Sequence, residues 1–316
     1  MTENISESVP DLSINLGRIK LKNPVITCSG TFASGIEYNQ FYNISNLGAV
    51  TTKSFSLNKK LGNNPPRLCE TAGGMLNAIG LANEGIYHFI NEQLPVLKNL
   101  QVSIILSIFG EDNDEFLRIA KEVNSIKDDI VAVEMNLSCP NVDKGGIAFC
   151  SMPDQVESLI NSVREILDIP LIAKLSPNND NFIETATKAR NGGAEAISLV
   201  NTVIGTAIDI DNFKPKLGNI FGGLSGPAIK PIALAKVMKL ARENILPIIG
   251  MGGIFYWQDA VEFMIAGASA VGIGTLNFVE VDAGEKILEG ISNYLLKKNI
   301  NNLSEIIGKV FKINYL

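Results

Sequence analysis

The segment Glu134 to Asn141 reads E-M-N-L-S-C-P-N and holds the residue best suited to move a proton. Cys139 stands between Ser138 and Pro140, a loop setting, whereas Cys28, Cys69 and Cys150 suit the ordinary part of a small apolar side chain. A thiol of pKa about 8.5 removes a weakly acidic carbon-bound proton at neutral to alkaline pH once dipoles or a lysine support its thiolate. His88 is the only histidine and sits in I-Y-H-F-I, the side of a helix, so Ser–His–Asp and Cys–His mechanisms fit poorly. Lys174 lies in the apolar run A-K-L, where an ammonium needs an anionic partner. Two partners are open: the N1–C2=O2 edge of a flavin, which becomes negative on reduction, or a barrel carboxylate such as Glu134. Lys53, in T-T-K-S, poses the same choice, with a surface salt bridge as its alternative. Asn77, Asn136, Asn141 and Asn201 offer amides that both donate and accept, which suits a planar heterocycle of alternating C=O and N–H groups. Taken singly, each asparagine serves a turn or a cap equally well.

Such groups act together only if the chain folds them to one point. Eight short apolar runs recur: Val25–Cys28, Ala49–Thr52, Val102–Ile108, Val131–Met135, Leu171–Leu175, Ala196–Val200, Pro247–Gly250 and Ala270–Gly274. Between most of them lie stretches of helical spacing, namely Asp114–Asn124, Gln155–Leu167, Asn181–Asn191, Ile232–Arg242, Trp257–Ala266 and Ala283–Leu296. This alternation predicts an α/β fold, a (β/α)8 TIM barrel, over a doubly wound sheet, whose G-x-G-x-x-G fingerprint is missing. The alternating L-S-I-N-L-G-R-I-K-L-K-N-P predicts an N-terminal β-hairpin lid on the barrel's bottom. We expect a single domain over 1–316, with 1–10 loose. Ligands of such barrels gather at the C-terminal ends of the strands. Lys53, Asn136 to Asn141, Lys174, Ser176, Asn201 and Thr202 all fall there. I-I-G-M-G-G-I (248–254) and G-I-G-T (272–275), preceded by G-G-L-S-G-P (222–227), suit backbone N–H groups closing on a phosphate, although glycine also serves tight turns.

Composition narrows the partners. Hydrophobic residues make up 46% and charged residues 19% of the 316, which favours a well-buried core over disorder. A net charge of −6 without a basic stripe argues against nucleic acid. The polar start M-T-E-N-I-S-E-S-V-P resembles no secretion signal or lipid anchor, and the longest apolar stretch is broken by glycines and polar residues, so a cytoplasmic protein away from membranes is expected. The four cysteines form no C-x-x-C pair, so neither a metal nor a cluster is expected in this chain.

The motifs T-K-S (52–54), N-A-I-G-L-A-N (77–83), N-L-S-C-P-N (136–141), A-K-L-S-P (173–177), V-N-T (200–202), G-G-L-S-G-P-A-I-K-P (222–231) and G-M-G-G-I (250–254) together resemble the class 1 dihydroorotate dehydrogenases. N-A-I-G-L and the N-V-x-x-G-G-I-A-F run at 141–149 are most similar to the 1B catalytic subunit. The resemblance implies FMN at the barrel mouth and oxidation of (S)-dihydroorotate to orotate in pyrimidine synthesis. It implies Cys139 as the base for the C5 proton while hydride leaves C6 for flavin N5. Lys53, Asn77, Ala78, Ile79, Gly80, Leu81, Asn136, Asn201 and Thr202 are then expected at the substrate. Ser29, Lys53, Ser54, Asn136, Lys174, Val200, Gly226, Gly252, Gly253, Gly274 and Thr275 are expected at FMN. Two positions depart from the family pattern: Ser107 stands in place of an asparagine near the flavin, and Cys150 in place of a glycine. The 1B likeness further implies a partner subunit carrying FAD and a 2Fe-2S cluster, two of each chain in a heterotetramer, with NAD+ as final acceptor. The alternatives are a 1A-like homodimer using fumarate and a non-catalytic barrel that binds a phosphorylated ligand.

Overall fold

A computed structural model describes residues 9–138, 140–141, 147–148 and 152–312; Cys139 and Cys150 lie outside the described residues. Eight parallel strands form the expected barrel: β1 (Val25–Thr27), β2 (Val50–Thr51), β3 (Ile104–Ile108), β4 (Ala132–Asn136), β5 (Leu171–Lys174), β6 (Ala196–Leu199), β7 (Ile248–Met251) and β8 (Ala270–Ile273). Their order around the sheet is β1-β8-β7-β6-β5-β4-β3-β2, and the Ile26–Ala49 bridge closes β1 onto β2. Helices cover the outer faces, so both sides of each strand are buried and the strands read as continuous apolar runs.

Six helices match the expected segments within about two residues at each end, the usual uncertainty of such boundaries: α1 (Asn113–Asn124), α2 (Pro153–Ile166), α3 (Phe182–Asn191), α4 (Lys230–Arg242), α5 (Trp257–Ile265) and α6 (Ala283–Lys297). In α1, Asp112 caps the first turn by accepting from the Glu115 backbone N–H at 2.7 Å. Phe116, Ile119, Ala120 and Val123 then bury one face at helical spacing. Val156, Leu159, Ile160 and Val163 do the same in α2, which Pro153 opens.

The hairpin Ile14–Leu16 and Ile19–Leu21 pairs as expected, and its four end residues are buried. Arg18 bonds Glu195, which immediately precedes β6, and Asp168, which precedes β5. The hairpin therefore covers the N-terminal end of the barrel, away from the proposed chemistry. A four-stranded antiparallel sheet, ordered Val203–Gly205, Gly222–Ser225, Gly74–Asn77 and Leu68–Thr71, rises at the opposite end. The sequence reading did not anticipate this sheet. G-G-L-S, part of the glycine-rich G-G-L-S-G-P expected near a phosphate, forms one of its inner strands.

Among the described residues, no helix is long and apolar enough to cross a membrane.

Candidate active site

Strand register builds the floor of the site. Ser107 on β3 stands level with Glu134 on β4. Two residues further along β4, Asn136 stands level with Lys174 on β5, which in turn faces Ser198 on β6. All five are buried and meet within the barrel. The Glu134 carboxylate accepts from Ser198 Oγ at 2.8 Å, Ser107 Oγ at 3.1 Å and Lys174 Nζ at 3.4 Å. Such saturation is what a carboxylate removed from water requires. Ser198 had no signal in the sequence, because a lone serine in an apolar strand looks like filler.

Lys174 thus has the carboxylate partner that was one of its two expected partners. Its Nζ also donates to Ser29 Oγ at 3.1 Å. Among the described residues those two contacts occupy two of the three ammonium donors, so one donor is left for a third acceptor. Ser107 is fully buried between Glu134 and Ser54, whose Oγ lies 2.8 Å away. It belongs to this floor network.

The network continues upward to the mouth. Asn136 Nδ2 donates to Ser54 Oγ at 3.3 Å, and its Oδ1 accepts from Ser138 Oγ at 2.6 Å. Ser138 Oγ also accepts from Asn201 Nδ2, while Asn201 Oδ1 receives the Thr202 backbone N–H at 2.8 Å. Residues from three separate stretches of chain therefore join in one polar run, and Cys139 follows Ser138 directly in the sequence. The Leu199–Val200 peptide within this region is cis.

Asn77 joins from the antiparallel sheet. Its Nδ2 donates to the Gly223 carbonyl at 3.2 Å, and a Cβ at Gly223 would fall 2.0 Å from Thr202 Oγ1. Only glycine lets these strands bring Asn77 and Thr202 so close. Ala78 is buried, and Gly80 and Leu81 follow at φ +70 and +56. Just past Leu81, Ala82 and Asn83 line a cavity of about 400 Å³ with Lys53.

Lys53 has no carboxylate partner among the described residues, so the surface salt bridge considered for it is not seen there. Its neighbours Lys59 and Lys60 pair with Glu84 and Glu111. Burial first, and then the charge of Lys174, hold the Lys53 pKa below its ordinary 10.5. An ammonium in that condition is a receptor for an anion. Cys28, by contrast, is pushed up to about 12 by burial and contacts Met251 Sδ at 3.7 Å. It is the inert core thiol expected. Cys69 is half-buried on the antiparallel sheet, and His88 sits on the short helix Ile86–His88. Asn141 pairs with Ile147 in a two-residue strand.

The glycines after β7 and β8 form a cradle. Gly252 and Gly253 take φ of +115 and +81, and a Cβ at Gly253 would lie 2.6 Å from the backbone nitrogen of Lys230, where α4 begins. Gly226 precedes the turn Pro227–Ile229 that leads into α4. Thr275 Oγ1, one residue after Gly274, reaches across to Ser225 Oγ at 2.9 Å. The Lys230 side chain turns to Asp259 at 2.6 Å and Glu262 at 2.9 Å. What remains is a helix N-terminus with side-chain-free backbone around it, the usual receptor for a phosphate.

The family described as dihydroorotate dehydrogenase matches residues 11–295 of this sequence. The chain belongs to the dihydroorotate dehydrogenase family. Among its relatives, the protein of Caldicellulosiruptor saccharolyticus named dihydroorotate dehydrogenase B (NAD(+)), catalytic subunit, is 45% identical over 300 residues, covering 95% of this chain and 99% of its own. The catalytic subunit of the same name from Thermoanaerobacter pseudethanolicus is 46% identical over 300 residues, with the same coverage. That of Geotalea daltonii is 46% identical over 299 residues, covering 95% of this chain and 98% of the relative. Membership in the dihydroorotate dehydrogenase family agrees with the resemblance read from the motifs and with the barrel.

Proposed function

We propose that this chain oxidises dihydroorotate to orotate in pyrimidine synthesis, on a bound FMN, as the catalytic half of an NAD+-reducing assembly. The observation that carries this reading is the polar run from Asn201 through Ser138, Asn136 and Ser54 to the Glu134–Lys174 floor, beside Lys53, which has no carboxylate partner among the described residues. Full-length similarity to NAD(+)-named catalytic subunits supports it.

The donor set fits FMN. The glycine cradle of Gly226, Gly252, Gly253, Gly274 and Thr275 would take the phosphate, and Ser29, Lys53, Ser54, Asn136, Lys174 and Val200 the ring system. Bound FMN would supply the acceptor for a hydride. For the substrate, Lys53 and the backbone from Ala78 to Leu81 hold the carboxylate, while Asn77, Asn136, Asn201 and Thr202 bond the ring amides. Cys139 takes the C5 proton as a thiolate. The C5–H electron pair becomes the C5=C6 double bond as hydride leaves C6. The whole of 1–316 acts as one FMN-binding domain. A second subunit bearing FAD and a 2Fe-2S cluster takes the electrons to NAD+, two of each chain forming a heterotetramer.

The test is product stoichiometry. Purified chain combined with the electron-transfer subunit is expected to form orotate and NADH in equal amounts over many turnovers, and without that subunit no NADH and no more than one orotate per bound flavin. Rapid orotate formation by the chain alone with fumarate would contradict the NAD+ assignment.

Lys53 gives the site a pH signature. A bound carboxylate raises its lowered pKa back toward 10.5, so orotate binding takes up a proton when the pH lies between the two values. Orotate affinity falls as pH rises through that window. Stability of the unliganded fold moves the other way, because the unfolded chain holds this proton more tightly and loses that advantage as pH rises. Calorimetry in two buffers of different protonation heat measures the uptake; no uptake would remove Lys53 from the carboxylate site.

Gly253→Ala tests the cradle. The added Cβ would meet Lys230 backbone and sit at a φ that costs about 1–3 kcal/mol. The variant is expected to lose most of its bound flavin on desalting, and full retention would move the phosphate elsewhere.

A further inference from the structure

Two pieces of chain from different parts of the sequence meet at the glycine cradle: the turn 252–256 that follows β7, and the start of α4. The start of α4 is bare, since Ile229 gives it no side-chain cap and its first turn holds no acid. At α1, by contrast, Asp112 fills that place. A bare start leaves backbone N–H groups for an outside anion, but nothing in it fixes where they point. A buried carboxylate supplies the fixing. Asp259, in the first turn of α5 and 7% exposed, divides its oxygens: Oδ2 accepts the backbone N–H groups of Phe255 at 2.9 Å and Tyr256 at 2.8 Å, and Oδ1 accepts from Lys230 Nζ at 2.6 Å. The first pair closes the turn that contains Gly252 and Gly253. The ion pair ties that turn to the first residue of α4, whose backbone Gly253 approaches so closely that no Cβ fits between them. Burial lowers the Lys230 pKa, but Asp259 and Glu262 more than offset it and hold the ammonium above its ordinary 10.5. It therefore stays charged through neutral pH.

We propose that Asp259 is the positioning residue of the cofactor's phosphate site, aligning the N–H groups of the turn and of α4 on one phosphate without touching it. The inference rests on the FMN reading given above. By charge alone a carboxylate at this corner would repel a phosphate, and the Lys230 ammonium cancels that charge. What Asp259 contributes is geometry: groups that grip a ligand hold their aim only when their own supports are locked. The competing role is an ordinary cap for α5, which would cost stability without regard to what binds. Riboflavin separates the two roles, because it lacks only the phosphate of FMN.

The experiment titrates the flavin-free full chain with FMN and with riboflavin, and reads the ratio of the two dissociation constants alongside the thermal midpoint. Asp259→Ala is expected to weaken FMN about 10- to 100-fold, the scale of loss when a group that orients direct ligands is removed, while riboflavin moves by no more than about twofold. Lys230→Met should give part of the same loss. The Lys230/Asp259 double variant should lose no more than Asp259→Ala alone, because the two side chains act as one clasp. Asp259→Asn keeps the size of the side chain and carries the test if the alanine variant fails to fold. It is expected to weaken FMN about tenfold, since an amide offers one oxygen where three donors converge. Glu115 of α1, across the barrel, is similarly buried and accepts two backbone N–H groups, from Leu57 and Glu111. Glu115→Gln should therefore lower the midpoint and leave the ratio unchanged. Wild-type FMN affinity in the Asp259 variants, equal losses of FMN and riboflavin, or tighter FMN binding in Asp259→Asn would overturn the assignment. A wild-type chain that binds FMN no better than riboflavin would instead remove the phosphate from the cradle, and the FMN reading would fall with it.

Discussion

Cys139→Ala is expected to slow anaerobic bleaching of bound FMN by dihydroorotate by about 10²- to 10⁴-fold, the usual worth of a positioned base. Flavin content and orotate binding should be unchanged, because the polar run proposed to hold them is built from other residues, Ser54, Asn136, Ser138 and Asn201. Cys139→Ser should keep part of the rate, with its rise displaced to higher pH, since a hydroxyl yields its proton less readily than a thiol. Cys28 cannot substitute: its proton is held up to about 12 by burial. Rapid bleaching in Cys139→Ala at an undiminished rate would remove the base from this position. Bleaching traces and flavin content on the same preparations separate a chemical loss from a binding loss.

Lys174→Met has the second large effect, and it separates the lysine's two partners. Glu134 is 1% exposed and, among the described residues, would keep only Ser107 and Ser198 as donors. Breaking a buried ion pair on one side costs about 3–5 kcal/mol, so the thermal midpoint should fall markedly. Adding Glu134→Gln removes the stranded carboxylate and should restore most of that stability. Bleaching should remain at least about 100-fold slow in the double variant, as expected when a donor to developing negative charge is lost. Recovery of both stability and rate would show that Lys174 serves only the ion pair. Thermal melts and anaerobic bleaching on the single and double variants provide the comparison.

The barrel was readable because its physics is local. The eight strands end where an apolar run meets a glycine or polar residue, and the helices repeat apolar residues at helical spacing, as Phe116, Ile119, Ala120 and Val123 do. The antiparallel sheet over the mouth was hidden for the opposite reason. Asn77 pairs with Gly223, 146 residues away in the chain, and G-G-L-S carries no alternation to announce a strand. Of the helical stretch from Ile86 to Asn99 only I-Y-H-F-I reads as helical in the sequence, because a π-helical turn at Phe89–Gln93 and Pro95 break the spacing.

Within the site, single residues were legible by type, but their connections were not. Lys174 announced itself as a cation in an apolar strand. That its carboxylate is shared by Ser107 and Ser198 depends on which strands are neighbours, and only the closed barrel supplies that. Lys53 could be read as a salt-bridge lysine or a ligand lysine, and burial next to Lys174 favours the second. The exposure of Phe41, Phe278, Val279 and Val281 was not readable, because hydrophobic residues in sequence look like core until the fold is known.

This chain alone is expected to carry out the oxidative half-reaction. The most direct test is anaerobic titration of the FMN-loaded chain with dihydroorotate, following flavin absorbance and orotate together. One orotate is expected per flavin bleached, without NAD+ or any second subunit. A flavin-loaded chain that stays yellow with excess dihydroorotate would contradict the account.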